Sequence, residues 1–438
     1  MIKRLLIANR GEIAVRIIRS CREMGIETVA VYSTADAGSL HTQLADKAVC
    51  VGPPPAAKSY LAAENLAMAA LRQNCDAVHP GVGFLSENAA FARLVRKAGL
   101  RFIGPEPDTL ALLGDKVQAR AAALSFGLPI TPGTKDAVAG IEAAEKAVKE
   151  LGFPVIIKAA AGGGGKGMRI VRQIEELSVN LKLCMREAEA NFADNRVFIE
   201  RFVEKPRHVE LQILSDGKDS VSILGERDCS VQKNHQKLIE ESPSPAVSAA
   251  MREKMAAGAA EMFRELKYTG AGTIEFLVEG EDFYFMEVNA RLQVEHPVSE
   301  MCTGIDIVRQ QILACMENRM DIKSGTQPAG GHAIECRVNA FSPGKITRLE
   351  VPGGPGTRFD SFLYQGADVP PYYDSMIAKL IVHAENRNAA IARMSRALSE
   401  LVIEGVKTNL TSQQQMISHP VFRSGIFDTS FYEQYAAC

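Results

Sequence analysis

The first hundred residues alternate short apolar runs with segments in which apolar residues recur at helical spacing. After the apolar run at residues 5–8, the spacing of Ile13, Ile17, Cys21 and Met24 predicts a helix. Further strands are predicted at residues 28–32, 76–79 and 100–103. Strands that alternate with helices in this way predict a parallel α/β sheet.

The middle of the chain has a different pattern. A helix is predicted at Lys116–Ser125 and a strand at residues 155–158, just before a run of glycines. Strands are then predicted close together at residues 208–214, 221–224, 273–278 and 283–288. Clustered strands with flanking helices predict an α+β arrangement. A polar segment with glycine and proline at residues 324–331 marks a boundary. Beyond it, strands are predicted at residues 332–340 and 377–382, and a helix at 387–402.

Composition excludes several classes of protein. The chain has 438 residues, which suggests about three domains, and its 46% hydrophobic and 23% charged residues are ordinary for a soluble globular protein. A net charge of -2 gives no reason to expect nucleic acid or an anionic membrane as partner. No apolar run approaches the ~20 residues of a transmembrane helix. Nine cysteines without a C-x-x-C pair disfavour disulfides and structural zinc, and fit a reducing cytoplasm.

The glycine run is the first candidate for chemistry. Gly162, Gly163, Gly164 and Gly165 are followed by Lys166 and Gly167. Backbone amides in such a loop can approach phosphate oxygens closely. It is not a Walker A loop, because Gly167 stands where that motif needs Ser or Thr. A flexible surface turn is the alternative, although the preceding Lys158 favours a hairpin that covers phosphates.

A second candidate is a run of polar residues at every second position: Glu287, Asn289, Arg291, Gln293 and Glu295. In an extended chain all of these side chains point to one face. A hairpin with a three-residue loop at residues 280–282 would place Glu275 opposite Glu287 on that face. Two carboxylates and an amide oxygen favour a magnesium site completed by substrate phosphates. A structural cluster of ion pairs is the alternative.

Shorter polar alternations occur elsewhere. His208, Glu210 and Gln212 form one, and Glu335, Arg337 and Asn339 form another. Residues 232–237 are a polar cluster that a solvated loop explains equally well. None of these groups indicates a function by itself.

Taken together, the motifs resemble the ATP-grasp superfamily and, within it, the biotin carboxylases. The matching segments are residues 6–14 (LIANRGEIA), 79–88 (HPGVGFLSEN), 114–116 (GDK), 158–167, 227–237, 287–297, 331–337 (GHAIECR) and 371–376 (PYYDSM). The resemblance implies an N-terminal parallel α/β (pre-ATP-grasp) domain at residues 1–114. It further implies a central ATP-grasp domain at 115–323 with a mobile lid at about 131–203, and a C-terminal α+β domain at 331–438.

The resemblance also implies a role for each matching residue. Lys116, Lys158 and His208 would contact the ATP phosphates beneath the lid residues Gly162, Gly163, Gly164, Gly165, Lys166 and Gly167. Glu200, Gln232, His235 and the backbone of Arg201 and Val203 would hold adenine and ribose. Glu275, Glu287 and Asn289 would bind two magnesium or manganese ions, the two glutamates also belonging to the ATP site. Lys237, Arg291, Gln293 and the Val294 amide would hold bicarbonate, Glu295 would be the general base, and Arg337 would stabilise the enolate of biotin.

The implied activity is ATP-dependent carboxylation of biotin by bicarbonate, through carboxyphosphate, as the first half-reaction of an acyl-CoA carboxylase. No Met-Lys-Met biotinylation site is present before Cys438, so biotin is expected on a separate carrier protein, with a carboxyltransferase as further partner. A cytoplasmic homodimer is expected, with Arg19 and Glu23 at its contact or, alternatively, in an intrahelical ion pair. The alternatives are an ATP-grasp ligase with another acceptor and a non-catalytic nucleotide-binding assembly subunit. Val82 and the short connection after Ala340 depart from the family pattern.

Overall fold

The computed structural model describes residues 2–160 and 167–435, and it begins with a five-stranded parallel sheet of order β3-β2-β1-β4-β5. The elements are β1 (Arg4–Ile7), α1 (Gly11–Glu23), β2 (Glu27–Ser33), α2 (Leu40–Leu44), β3 (Lys47–Gly52), α3 (Ala63–Arg72), β4 (Ala77–His79), α4 (Ala89–Lys97), β5 (Arg101–Phe102) and α5 (Pro107–Gly114). Apolar residues of β1, including Leu5 and Ile7, pack against the buried face of α1. The predicted parallel α/β sheet is confirmed.

A small three-stranded sheet of order β7-β6-β8 follows, with antiparallel neighbours. The elements are α6 (Lys116–Ser125), α7 (Ile141–Leu151), β6 (Val155–Ala159), β7 (Met168–Val171), α8 (Ile174–Phe192) and β8 (Val197–Arg201). Asp115 caps α6 by accepting hydrogen bonds from the Val117 and Gln118 amides. Residues of the sheet, α7 and α8 build their own small core, in which Ile157 and Leu181 are buried.

The largest sheet has nine strands and crosses the predicted boundary at residues 324–331. Its main path runs β13-β12-β9-β10-β11-β15-β20-β18, and β14 pairs with β10. The elements are β9 (Arg207–Asp216), β10 (Val221–Lys233), β11 (Gln236–Ser242), α9 (Ala249–Glu265), β12 (Thr269–Glu279), β13 (Asp282–Asn289), α10 (His296–Thr303), α11 (Ile307–Glu317), β14 (Gly325–Thr326), β15 (His332–Asn339), β18 (Thr357–Ser361) and β20 (Met376–Ala384). The central and C-terminal parts of the chain therefore share one continuous sheet.

The remaining elements complete the C-terminal part around a core that includes Leu380 and Met394. They are β16 (Gly344–Lys345), β17 (Arg348–Glu350), β19 (Asp368–Val369), α12 (Arg387–Glu400), β21 (Val402–Glu404), α13 (Leu410–Ser418), α14 (Pro420–Ser424) and α15 (Phe431–Tyr435). The predicted helix at 387–402 was too long, because Val402 already pairs with Glu350 between β21 and β17. Within the described ranges, no helix has the length and apolarity needed to cross a membrane.

The hairpin of β12 and β13 differs from its prediction in one detail. Glu279 pairs with Asp282, so the loop has only Gly280 and Glu281, and Gly280 adopts a positive φ of 62° that favours glycine. The predicted three-residue loop was therefore wrong. A β-bulge adds one residue in β13 before Glu287 and restores the register. The predicted pairing of Glu275 with Glu287 is found as a result.

The polar alternation of residues 287–295 is extended only over its first part. Strand β13 ends at Asn289, and helix α10 begins at His296 with Pro297 in its first turn. The expectation that all of these side chains share one strand face was wrong beyond Asn289. Leu292 is fully buried and anchors the irregular segment in the core. The polar side chains of the segment converge on one cleft by a different route, described below.

Candidate active site

A cleft of about 1020 Å3 lies between the small sheet, the large sheet and the irregular segment of residues 290–295. All but one of the predicted site residues within the described ranges line it: Lys116, Lys158, Glu200, Arg201, Val203, His208, Gln232, His235, Lys237, Glu275, Glu287, Asn289, Arg291, Gln293, Val294, Glu295 and Arg337. Gly167 is the exception, and its carbonyl accepts a hydrogen bond from the Ala159 amide. Gly162, Gly163, Gly164, Gly165 and Lys166 lie outside the described residues.

Lys237 lies at the centre of a group of carboxylates in the cleft. Its ammonium group donates to Glu210 and Glu295, both at 2.6 Å, and to Glu275 at 3.0 Å. Burial opposes the charge of Lys237, but the acids around it hold its pKa well above the usual range. Lys237 is thus a buried cation shared by three carboxylates of the cleft.

Glu295 is held between two cations. One carboxylate oxygen accepts from Lys237 and the other from Arg337 at 3.0 Å. The side chain is buried, and burial by itself would raise its pKa. Lys237 and Arg337 overcome this effect and hold the pKa of the Glu295 carboxyl well below its usual range. Glu295 is therefore ionised at neutral pH, and the two cations keep its affinity for a proton low.

Arg337 is fixed from behind by a second carboxylate. Its Nε donates to Glu240 at 2.6 Å. Glu335 lies directly opposite Glu240 in the pairing of β15 with β11, so both carboxyls leave the same sheet face. Burial raises the pKa of Glu335 well above the usual range, and Glu240 adds to the rise while Lys379 opposes it. The Arg337 guanidinium thus contacts Glu240 on one side and Glu295 on the other, and burial raises the pKa of Glu240.

Arg291 joins three groups of the irregular segment and its surroundings. It donates to Asn289 and Gln293, each at 2.8 Å, and to Glu87 at 2.8 Å. The other oxygen of Glu87 accepts from the Ala290 amide at 3.0 Å. Glu87 belongs to the motif at residues 79–88, but no role was predicted for it. It fixes the segment at the point where β13 ends.

His208 connects the predicted nucleotide and metal groups. One ring nitrogen lies 2.9 Å from Glu275 and the other 2.6 Å from the side-chain nitrogen of Gln232. Burial lowers the pKa of His208, but Glu275 has the larger effect in sum and the pKa is raised.

The predicted metal ligands offer the oxygen donors that hard divalent cations prefer. Glu275 and Glu287 are paired residues of β12 and β13, and the Asn289 amide donates to Glu275 at 2.8 Å. Glu287 contacts the Lys116 ammonium at 3.2 Å. The carboxylate that clusters with Glu275 and His208 within 4.8 Å is that of Glu210 rather than Glu287. The residue types suit magnesium or manganese, whereas here the Lys116 ammonium is the cation that contacts Glu287.

The opposite end of the cleft is lined by the small sheet. The ammonium of Lys158 in β6 contacts Glu200 of β8 at 2.5 Å, and Arg120 contacts the same carboxylate. Arg201 donates to the hydroxyl of Tyr284 at 3.1 Å. His235 lies exposed in the turn between β10 and β11 with a positive φ of 63°. The predicted adenine and ribose residues line the same cleft, although Glu200 is already paired with cations.

Several buried charges of the site were not predicted. Arg227 is fully buried beneath Lys237, where it donates to Glu210 at 2.6 Å and to Gln212 at 2.7 Å. Strand β10 was expected to end at residue 224 but continues to Lys233, because its charged residues have buried partners. The available signal was Arg227 itself, a charged residue that closely follows the strand predicted at residues 221–224. It could not show which partners would satisfy the charge.

The chain was compared with known protein families and structures. Family models match in chain order: biotin carboxylase, N-terminal domain, at residues 1–110; carbamoyl-phosphate synthase L chain, ATP binding domain, at residues 115–322; and biotin carboxylase C-terminal domain at residues 334–434. Biotin carboxylase 1 of Bacillus subtilis is 49% identical over 445 residues, covering 99% of this chain and 99% of its own.

Solved structures agree. A biotin carboxylase from Campylobacter jejuni, described as a complex with βγ-ATP, has a TM-score of 0.96 at 44% identity over 99% of both chains. The biotin carboxylase domain dimer of a Hydrogenobacter thermophilus 2-oxoglutarate carboxylase, with MgADP, ADP and bicarbonate, has a TM-score of 0.95 at 41% identity, covering 99% of this chain and 98% of its own. This chain belongs to the biotin carboxylase family.

Proposed function

We propose that this chain carboxylates biotin with bicarbonate and ATP in the cleft described above. The observation that carries the proposal is the arrangement of Glu295 between Lys237 at 2.6 Å and Arg337 at 3.0 Å. A buried, ionised carboxylate between two fixed cations can remove a proton from an anion that the same cations attract. Bicarbonate is an anion of this kind, and it becomes a nucleophile only after losing its proton.

The binding of bicarbonate would make Glu295 a stronger base. In the arrangement described here, both cations point at Glu295 and keep its proton affinity low. Bicarbonate bound by Lys237, Arg291, Gln293 and the Val294 amide would share the charge of Lys237. The pKa of Glu295 would then rise towards its ordinary value, because the opposing charge is divided between two anions. Deprotonation is thus coupled to the binding of the substrate.

The nucleotide end of the cleft supplies charge for phosphoryl transfer. Lys116, Lys158 and His208 would neutralise the phosphate oxygens of ATP, and Glu200, Arg201, Val203, Gln232 and His235 would hold the nucleoside. Magnesium or manganese, held by Glu275, Glu287 and Asn289, supplies further neutralisation of the phosphates when bound. Positioning and charge neutralisation are what phosphoryl transfer requires of the protein. The lid residues Gly162, Gly163, Gly164, Gly165, Lys166 and Gly167 would exclude water from the carboxyphosphate product.

Arg337 serves the second half of the reaction. Breakdown of carboxyphosphate gives CO2 and a phosphate that can deprotonate biotin N1′. The ureido oxygen of biotin then becomes an enolate oxyanion, which the Arg337 guanidinium would stabilise. Glu240 holds the guanidinium in place at 2.6 Å, so the cation needs no reorganisation when the charge develops.

We also propose the finer assignments of organisation and partners. The proposed domains are residues 1–114, 115–323 with a lid at about 131–203, and 331–438, and the separate small core supports the lid. Biotin would arrive on a separate carrier protein and pass to a carboxyltransferase of an acyl-CoA carboxylase. A homodimer is supported by Arg19 and Glu23, which are both exposed on α1. A cytoplasmic location is supported by the free thiols of the eight described cysteines.

The test measures ADP release from ATP with bicarbonate, and then with free biotin added. Bicarbonate-dependent release that biotin stimulates, with carboxybiotin as product, is expected. Release without stimulation by biotin would favour an ATP-grasp ligase with another acceptor. No bicarbonate-dependent release at all would favour a non-catalytic nucleotide-binding subunit, which the intact set of Glu275, Glu287, Glu295 and Arg337 opposes.

A further inference from the structure

The irregular segment of residues 290–295 is held in part by groups from distant elements of the chain. It carries the Val294 amide and Glu295, and its local hydrogen bonds are long: the His296 amide donates to the Gln293 carbonyl at 3.4 Å and Arg291 donates to the Leu292 carbonyl at 3.2 Å. Each peptide unit is planar, so a bond to its carbonyl oxygen also sets the direction of its amide. The question is which groups bind the carbonyls of Gln293 and Val294.

The two carbonyls have different partners. The ring of His296 lies with Nδ1 at 2.8 Å from the Gln293 carbonyl, which sets the peptide plane that contains the Val294 amide. The ammonium of Lys379 donates to the Val294 carbonyl at 2.7 Å, which sets the plane that leads into Glu295. Lys379 thus acts on the backbone next to the general base without itself lining the cleft.

Lys379 comes from a distant strand and is fully buried. It lies in β20 directly opposite Arg337 of β15, so both side chains leave the same sheet face. Its other contact is an ion pair with Glu12 of α1 at 3.1 Å. One ammonium therefore joins the N-terminal helix, the C-terminal strand and the active-site segment.

We propose that Lys379 is a positioning residue, which fixes the peptide plane before Glu295 and so places this carboxylate between Lys237 and Arg337. The ammonium is directed at a neutral carbonyl by a hydrogen bond, while Glu12, Glu335 and Asp360 stabilise its charge. A lysine that served only to join the two domains would need Glu12 but not the Val294 carbonyl. The inference rests on the proposed function, because the position of the Glu295 carboxylate matters only if this carboxylate deprotonates bicarbonate.

Three variants separate positioning from stability. Lys379→Met removes the hydrogen bond and leaves Glu12 buried without its partner, which is destabilising. The double variant with Glu12→Gln removes both charges of the ion pair, so Glu12 is not left as a buried carboxylate without its partner. Glu12→Gln alone keeps the Val294 hydrogen bond and serves as the matched control. Bicarbonate-dependent ADP release is measured with bicarbonate and ATP varied separately, together with the thermal unfolding midpoint.

In Lys379→Met and in the double variant, kcat/KM for bicarbonate is expected to fall on the order of 10²-fold, the effect of a misplacement of about 1 Å. The KM for ATP should stay unchanged, and Glu12→Gln should keep the wild-type kcat/KM for bicarbonate. A double variant with the wild-type value would overturn the positioning role, as would an equal loss in Glu12→Gln and Lys379→Met. Wild-type protein without bicarbonate-dependent ADP release would instead overturn the proposed function.

Discussion

Glu295 and Arg337 touch each other at 3.0 Å, yet the proposed reaction uses them in different steps. Glu295 is needed before carboxyphosphate forms, and Arg337 is needed after it has formed. Replacing Arg337 removes one cation from Glu295 and so does not weaken it as a base. The two residues are therefore separable by experiment even though they share one contact.

Arg337→Ala is expected to lose carboxybiotin formation far more than bicarbonate-dependent ADP release, since the enolate loses its cation. The loss in carboxylation should be on the order of 10²–10³-fold. Glu295→Ala should lower both rates together by about 10²–10⁴-fold, because bicarbonate keeps its proton. The measurement is the ratio of carboxybiotin formed to ADP released, with the exposed Arg348 replaced by alanine as control. A wild-type ratio in Arg337→Ala would contradict its role toward the enolate.

At this scale the sequence predicted the residues that face the cleft better than those that hold them. The alternation at residues 287–295 identified Glu287 and Asn289 through strand geometry. Glu87 and Lys379 were missed, because each is a single charge whose partner lies in a distant part of the chain. A lone lysine inside an apolar strand signals a buried charge, but sequence alone does not name the carbonyl that it binds.

Two features of the elements decide where the site residues point. The bulge in β13 compensates for a loop that is one residue shorter than predicted, so Glu275 still faces Glu287. Arg291 and Glu295 reach the cleft from an irregular segment, where period-two alternation no longer describes direction. The alternation was thus informative within β13 and coincidental beyond it, because side-chain periodicity follows backbone conformation.

The small sheet of β6, β7 and β8 with α7 and α8 is expected to move as a unit toward ATP. Its core is separate. Its links to the rest of the chain include the hydrogen bond from the Lys116 amide to the Ala160 carbonyl and the ion pair of Arg196 with Asp115. Hydrogen exchange in residues 155–171 should slow when ATP and magnesium are added, because the closed position adds contacts to the nucleotide. A peptide covering α12 should exchange at an unchanged rate and serves as the internal control. Identical exchange in residues 155–171 at saturating ATP would contradict a lid.

On the scale of the whole molecule, the continuous nine-stranded sheet was the feature that sequence could not predict. The contact of Glu240 with Arg337 joins positions 97 residues apart, and it arises from the pairing of β11 with β15. Strand periodicity identifies strands but does not name their partners. The polar segment at residues 324–331 suggested a boundary in the chain, and the sheet nevertheless runs across it.

Buried histidines make the stability of the whole chain depend on mild acid. Burial lowers the pKa of His79 to about 3 and that of His41 to about 4. Below the ordinary histidine pKa of about 6.5, the unfolded chain takes up protons that these folded rings do not accept. Their stabilising contribution is therefore complete above pH 6.5 and is lost as the pH falls through the folded pKa. Each ring contributes a slope of about 1.4 kcal/mol per pH unit.

Buried carboxyls such as Glu335 have raised pKa values and act in the opposite direction, so the wild-type slope between pH 6.5 and 4.5 is a sum. The difference between two proteins isolates one histidine. His79→Gln is neutral at every pH, and its unfolding midpoint is expected to depend less on pH than that of the wild type. Measured by thermal unfolding in steps from pH 6.5 to 4.5, the two curves should converge as the pH falls. Parallel curves for His79→Gln and the wild type would mean that His79 is protonated in the folded chain.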